Sequence, residues 1–159
     1  MVLEVFVEGC DESMECRYSG FSKFRCEILR GWNEELGKLY EKRYSFIWEE
    51  NDELNVLGLT MFLSNQNDQK SLDEKIKQIL NEFDIPNNEG MKLFYNHSDC
   101  EGIFTPSECE LILKSFQHVD CEKFDKSDED IYEWLKETYN IWLKMLKYAI
   151  ENNKNIVFG

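Results

Sequence analysis

The chain has 159 residues, a formal net charge of −14 and 14% aromatic residues, which predicts one globular domain over residues 1–159 with a substantial core. The excess of carboxylates disfavours direct binding to nucleic acid, whose phosphates would be repelled, and favours a basic protein partner. No apolar run reaches the length of a transmembrane helix and the first residues lack a basic signal-peptide start, so we expect a cytoplasmic protein outside the membrane.

The N-terminal part predicts one strand followed by helices. Residues 3–7 alternate apolar and polar side chains, as half-buried strands do, and the acidic residues 10–16 are expected to form a turn. A helix should begin near Ser19 and Gly20 and end at residues 31–33. Residues 34–44 predict a second short helix, which Gly37 disfavours. Residues 45–70 fit a strand or a helix equally well.

The C-terminal half is mainly helical in pattern. Ser71 and Glu74 form a capping box that should open a helix, residues 91–95 are a short apolar segment, and residues 106–116 predict another helix. The longest helix should span residues 128–150, capped by Ser127. Its expected inner face consists of Ile131, Trp134, Leu135, Tyr139, Trp142, Met145, Leu146 and Ala149.

The last apolar residues, 156–158, are expected to pair with the opening strand. The predicted fold is therefore mainly α with a small β element (α+β). It is an irregular single-domain helical fold with a short terminal strand pair.

The most informative stretch is residues 97–108, which has the spacing of an EF-hand calcium loop. Numbered from His97, side chains carrying oxygen or nitrogen stand at places 1, 3, 5, 9 and 12, and Gly102 stands at place 6. His97 replaces the usual Asp, and an imidazole shifts the preference from Ca²⁺ toward Mn²⁺, Fe²⁺ or Zn²⁺. The predicted ligands of a divalent cation are His97, Asp99, Glu101, Ile103 through its carbonyl, Thr105 and Glu108.

Part of this stretch has a second interpretation. Thr105 and Glu108 form a capping box, and Pro106 lies between them at the first helical position. A capped helix start of this kind needs no metal, so the sequence leaves both interpretations open.

Six cysteines occur without a Cys-x2-Cys pair, and we expect reduced, structural thiols. Two alternatives remain open at this stage. One is a zinc site formed by His97, Cys100 and Cys109 with Cys121 or His118, and the other is a catalytic thiolate pair of Cys100 with His97. The sequence contains no glycine-rich phosphate loop and no other catalytic set, so we expect that the protein is not an enzyme.

A second candidate site is the acidic segment, residues 120–130. Its carboxylates, which could bind a basic partner, belong to Asp120, Glu122, Asp125, Asp128, Glu129 and Asp130. The sequence thus supports two functional hypotheses. The protein is an acidic binding protein with an EF-hand-like cation loop, or an acidic inhibitor of the toxin-immunity or phage anti-defence type that blocks a basic nucleic-acid-binding protein.

Two patches of the chain resemble a family of small, mostly uncharacterised bacterial proteins. They are Tyr18-Ser19-Gly20-Phe21 with Phe24-Arg25, and His97-Ser98-Asp99-Cys100-Glu101-Gly102 followed by Thr105-Pro106 and Glu108-Cys109. The family motif reads His-Ser-Asp-Cys-Asp/Glu-Gly and Ser/Thr-Pro-x-Glu-Cys, and an apolar tail like Val157-Phe158 often follows. The chain departs from it at Glu101, where the family usually has Asp, and across residues 33–70. The resemblance implies that His97 belongs to the motif, and it implies no activity.

Overall fold

The computed structural model describes residues 2–49, 70–81 and 88–159, with side chains up to Arg43 in the first of these ranges. The strands are β1 (Val2–Val7), β2 (Ser13–Arg17), β3 (Gly102–Phe104) and β4 (Ile156–Phe158). The helices are α1 (Tyr18–Trp32), α2 (Glu34–Glu49), α3 (residues 70–81), α4 (Asn88–Asn96), α5 (Pro106–Phe116) and α6 (Glu129–Asn152), with a 3-10 turn at Cys121–Lys123. The predicted mainly α, α+β fold is confirmed.

The sheet joins the two ends of the chain. Its strand order is β2-β1-β4-β3, and every neighbouring pair is antiparallel. Val5 faces Phe158 and Val7 faces Ile156, so the predicted pairing of the C-terminal residues with the opening strand is confirmed. The sheet nevertheless has four strands where the sequence predicted a pair, because two short edge strands extend it.

One of those edge strands lies where the sequence predicted a turn. Ser13–Arg17 pairs with β1 as β2, so the predicted turn over residues 10–16 is wrong from residue 13 onward. Met14 lies opposite Val5 and is buried with it. An edge strand of five residues is stabilised by its partner more than by its own sequence, which explains why its pattern is weak.

The core is centred on Trp142 of α6. Its ring stacks on Phe24 at 6.0 Å and meets Phe94 edge-on at 5.4 Å, and its indole N–H donates to the Met14 sulfur at 3.3 Å. Most of the predicted inner face of α6 is buried, but Ile131 is 42% exposed and that assignment is wrong. Ile131 lies in the first turn, about 16 Å along the axis from Trp142, beyond the centre of packing.

The sequence predicted three helix caps, at Ser71, Thr105 and Ser127, and one of them is confirmed. Thr105 caps α5, whose predicted bounds of 106–116 are confirmed. Asp128, and not the predicted Ser127, caps α6, because its carboxylate accepts hydrogen bonds from the main-chain N–H groups of Asp130 and Ile131 at 3.0 and 3.2 Å. Residue 70 is already helical, so Ser71 lies inside α3 and does not cap it.

Two glycines allow helices to cross closely. The helix α2 continues through Gly37, where a Cβ atom would lie 2.4 Å from the Cβ of Arg30 on α1. The segment predicted as residues 91–95 is the nine-residue helix α4, and a Cβ on Gly90 would lie 2.0 Å from the Leu111 carbonyl oxygen of α5. Helix packing overrides the unfavourable helix propensity of glycine at both positions.

Candidate functional site

The stretch predicted to bind a cation lies between two packed helices. It begins directly after α4, passes through β3 and ends in the first turn of α5. Thr105 is the N-cap of α5 and Glu108 is the third residue of that helix. The helix–loop–helix order therefore agrees with an EF-hand, and the side chains decide whether an ion can be held.

Both ring nitrogens of His97 face main-chain carbonyls. Nδ1 lies 2.6 Å from the Ser98 oxygen and Nε2 lies 3.2 Å from the Ile103 oxygen. A neutral imidazole has one N–H and one lone pair, so one ring nitrogen can donate to its carbonyl while the other directs its lone pair at a carbonyl oxygen and not at an open coordination position. The ring also packs against Phe104 and Phe158 at 4.2 and 4.3 Å between centroids. The packed ring of His97 thus holds the loop against the sheet.

The predicted ligands at places 9 and 12 bind each other. Oε1 of Glu108 accepts hydrogen bonds from the main-chain N–H of Thr105 at 3.1 Å and from its hydroxyl at 3.0 Å. The Thr105 hydroxyl in turn accepts from the Glu108 N–H at 3.3 Å. This is a complete capping box, and it engages Oε1, one of the two carboxylate oxygens that would close the coordination shell of an ion.

The remaining predicted ligands are spread over the surface of the loop. Glu101 and Ile103 are exposed, Asp99 is half-buried, and the Ile103 carbonyl faces His97. Among residues 2–49, 70–81 and 88–159, no three His, Cys, Asp or Glu side chains form a group that could hold a metal ion. The cation site therefore stays a prediction, while the contacts of His97, Thr105 and Glu108 are explained without an ion.

The alternatives built on thiols find no support in the described contacts. Cys109 is buried with its thiol 3.8 Å from the Phe104 carbonyl, and the exposed Cys100 thiol lies 3.2 Å from the Ser98 hydroxyl. Burial raises the pKa of Cys109 and of Cys26 to about 12 and that of Cys16 to about 11. Such thiols stay protonated and unreactive near neutral pH.

The acidic segment is anchored to α1 through a buried carboxylate. Glu27 is fully buried, pairs with Arg30 at 2.9 Å and Lys23 at 3.2 Å, and accepts from the Asp125 N–H at 2.9 Å. Asp125 itself pairs with Lys23 at 3.1 Å. The Ser127 N–H and the Lys23 ammonium lower the pKa of Asp125 to about 2. This network holds the segment in place.

Several carboxylates of the segment also serve its local structure. Asp120 accepts from the Glu122 N–H at 3.0 Å, Asp128 caps α6, and Glu122 pairs with Lys126 at 3.0 Å. Glu129 and Asp130 are exposed in the first turn of α6, where they complement the helix dipole. Many of the carboxylates that were predicted to bind a basic partner are thus used in helix caps and ion pairs.

The described structure joins two stretches that the sequence treated separately. The Arg25 guanidinium, 6% exposed, donates from Nη2 to the His97 carbonyl at 3.0 Å and lies over the Phe21 ring at 4.7 Å. Arg25 and His97 border a cavity of about 290 Å³. Sequence analysis assigned no functional role to Arg25, although its position beside Phe21 and Phe24 on one face of the helix was a signal for a buried charge.

The face of the sheet opposite the core carries a second feature that the sequence did not reveal. Phe6, Val157 and Ile103 are side by side in register across β1, β4 and β3, and Ile103 is 45% exposed. Glu4 and Glu15 are direct cross-strand partners on the same face, and both are exposed. Phe6 was the signal for this apolar row in the sequence, because it is an apolar residue at a position where the alternating pattern of the strand calls for a polar one.

The fold and these surfaces define a small acidic α+β protein with an apolar row on the open face of its sheet. No helix in the part of the chain that the structure describes is long and apolar enough to cross a membrane. No family model matches the chain, and neither a characterised protein nor a solved structure gives a significant match. The family resemblance of the two patches therefore stays a prediction.

Proposed function

We propose that the protein is an acidic binding protein that docks a basic protein through the open face of its sheet. The observation that carries the proposal is the cross-strand pair of Glu4 and Glu15. Like charges placed directly opposite each other in a sheet are destabilising, by up to about 1 kcal/mol. A Lys or Arg side chain of a partner that lay between the two carboxylates would remove this repulsion.

The apolar row beside the carboxylates supports a protein partner. Phe6 and Val157 are half-buried and Ile103 is exposed, so the row offers apolar contact area next to the charged pair. Interfaces between proteins combine an apolar centre with a charged, hydrated rim. A free polycation or a single metal ion would use the charges and leave the apolar row in water.

More specifically, we propose that the protein inhibits a nucleic-acid-binding protein. A surface of Lys and Arg that pairs with carboxylates is also one that binds phosphates, so the two ligands would compete. The net charge of −14 supports fast association with such a surface. We place this function in the cytoplasm, since six unpaired thiols suit a reducing compartment. The cation-loop hypothesis has less support, because Glu108 and His97 are engaged elsewhere.

The test is capture of partners from a lysate of the source cells by immobilised protein. Wild-type protein should retain a basic protein that added duplex DNA or RNA releases. Glu4→Lys with Glu15→Lys should abolish capture, because the docking charges are reversed. The matched control is Glu129→Lys with Asp130→Lys, which changes the net charge equally at exposed positions of α6 and should keep capture.

Two results would contradict the proposal. Equal loss of capture in both charge-reversal variants would show attraction by net charge alone. Loss of capture in the Glu129→Lys, Asp130→Lys variant alone would show that the partner binds the acidic segment and not the sheet. A third substitution, Ile103→Ser, probes the apolar row, and we expect it to weaken capture at high salt, where charges are screened.

A further inference from the structure

The guanidinium of Arg25 is the least satisfied buried charge in the part of the chain that the structure describes. The residue is 6% exposed, its Nε atom has no hydrogen-bond partner there, and its one hydrogen bond runs from Nη2 to the His97 carbonyl. A guanidinium carries five N–H donors. Phe21 and Phe94 offer their ring faces at 4.7 and 5.7 Å, which stabilises the charge without using the donors.

Buried charges in proteins are normally paired with an opposite charge. Among the described residues, however, no carboxylate pairs with Arg25. Asp73, which borders the same cavity, already binds Arg43 at 3.0 Å and accepts from the Tyr95 hydroxyl at 3.3 Å. The positive charge of Arg25 therefore lacks a counter-charge of its own.

The cavity beside Arg25 carries unpaired charges of both signs. Lys77 and Asp99 form part of its wall, and neither makes an ion pair or a side-chain hydrogen bond within the described ranges. Ser98 is also part of the wall. The volume of about 290 Å³ lies just below the usual range for small-ligand sites, about 300–1,000 Å³. Any ligand of this cavity should therefore be very small.

We propose that this cavity binds a free amino acid as a zwitterion. Its carboxylate binds Arg25 and Lys77, and its ammonium group binds Asp99. A carboxylate supplies the planar pair of oxygens that a guanidinium fork recognises. A phosphate dianion fits less well, because Asp99 and Asp73 in the wall would repel it more strongly. The site is separate from the open face of the sheet.

The first experiment is calorimetric titration of the full-length protein with each proteinogenic amino acid. At least one should bind saturably with one site per chain. The matched amine, which lacks the carboxylate, and the matched carboxylic acid, which lacks the ammonium group, should each bind at least about tenfold more weakly. Absence of binding by every amino acid up to about 10 mM, which detects millimolar Kd values, would overturn the proposal.

Substitutions test the assigned contacts in a protein that folds. Asp99→Asn and Lys77→Gln change a half-buried and an exposed side chain, and each should raise the Kd about tenfold or more. Lys75→Gln, an exposed position on the same helix outside the cavity, is the matched control and should bind like the wild type. Equal affinity of Asp99→Asn and Lys75→Gln would overturn the proposal. Arg25→Lys keeps the charge but loses the planar fork, and folded protein of this variant should bind more weakly.

Discussion

Arg25 donates a hydrogen bond from Nη2 to the main-chain carbonyl of His97 at 3.0 Å, across 72 residues of sequence. The same His97 packs its ring against Phe158 at 4.3 Å, and Arg25 lies over Phe21 at 4.7 Å. The helix α1, the loop after α4 and the C-terminal strand therefore meet at one place. The two patches and the apolar tail behind the family resemblance lie in these elements, and the resemblance itself stays a prediction.

Removal of one charge from the cross-strand carboxylate pair should stabilise the protein. Glu15→Gln ends the repulsion between Glu15 and Glu4, so the free energy of unfolding should rise by about 0.2–1 kcal/mol in urea titrations. The gain should shrink at high salt, which screens exposed charges. Glu137→Gln at an exposed position of α6 is the control. A loss of stability in Glu15→Gln would show that the carboxylate makes a favourable contact.

Two glycine-to-alanine substitutions in helices should have opposite effects. Gly90→Ala places a Cβ 2.0 Å from the Leu111 carbonyl oxygen, and the forced separation of α4 and α5 should cost about 1–3 kcal/mol despite better helix propensity. Gly20→Ala places a Cβ no closer than 3.4 Å to its neighbours. It should be neutral or stabilising by up to about 1 kcal/mol. Equal effects in thermal unfolding would contradict the helix crossing.

Calcium should leave the melting temperature of chelator-treated protein unchanged. The Glu108 carboxylate serves the capping box and the Ile103 carbonyl faces His97, so an ion would have to break both contacts. An ion at a hundred times its Kd would add about 2.7 kcal/mol, which a melting curve detects. A shift that Asp99→Ala removes would instead establish the cation loop. Mn²⁺ and Zn²⁺ are to be tested in the same way.

The capping box itself should contribute measurably to stability. Thr105→Ala removes the hydroxyl that accepts from the Glu108 N–H and donates to its carboxylate, and the expected loss is about 1 kcal/mol. Ser107→Ala, at an exposed neighbouring position, is the matched control and should change stability by less than about 0.5 kcal/mol. Equal losses in urea titrations would show that the cap contributes nothing specific.

Alkaline conditions should destabilise the protein through its buried thiols. Burial raises the pKa of Cys26 and of Cys109 from 9.0 to about 12. Between these values the unfolded chain releases protons that the folded chain keeps, so stability falls as pH rises, by up to about 1.4 kcal/mol per pH unit for each thiol. Cys109→Ser should make this fall less steep in urea titrations with reductant. Parallel curves for the two proteins above pH 9 would contradict the assignment.

The sequence by itself determined the elements whose signals are local. The helix α5 has its predicted bounds because Thr105, Pro106 and Glu108 define its first turn within four residues. Most of the predicted inner face of α6 is buried, since a stripe repeated over many turns leaves one way to pack. The strand β1 and its pairing with the C-terminal residues also follow from alternation and apolar character.

Only the tertiary structure decided the features that depend on a distant partner. The strand β2 exists because β1 is beside it, and α4 and α2 pass through glycines because other helices pack closely there. The loop of residues 97–108 also shows this difference between what the sequence predicts and what the tertiary structure decides. Its spacing suggested an ion, yet His97 meets the carbonyl of Ile103 and Glu108 meets the cap of its own helix. Sequence spacing fixes which groups lie near each other along the chain, whereas hydrogen bonds formed in the folded state decide which of them are already satisfied.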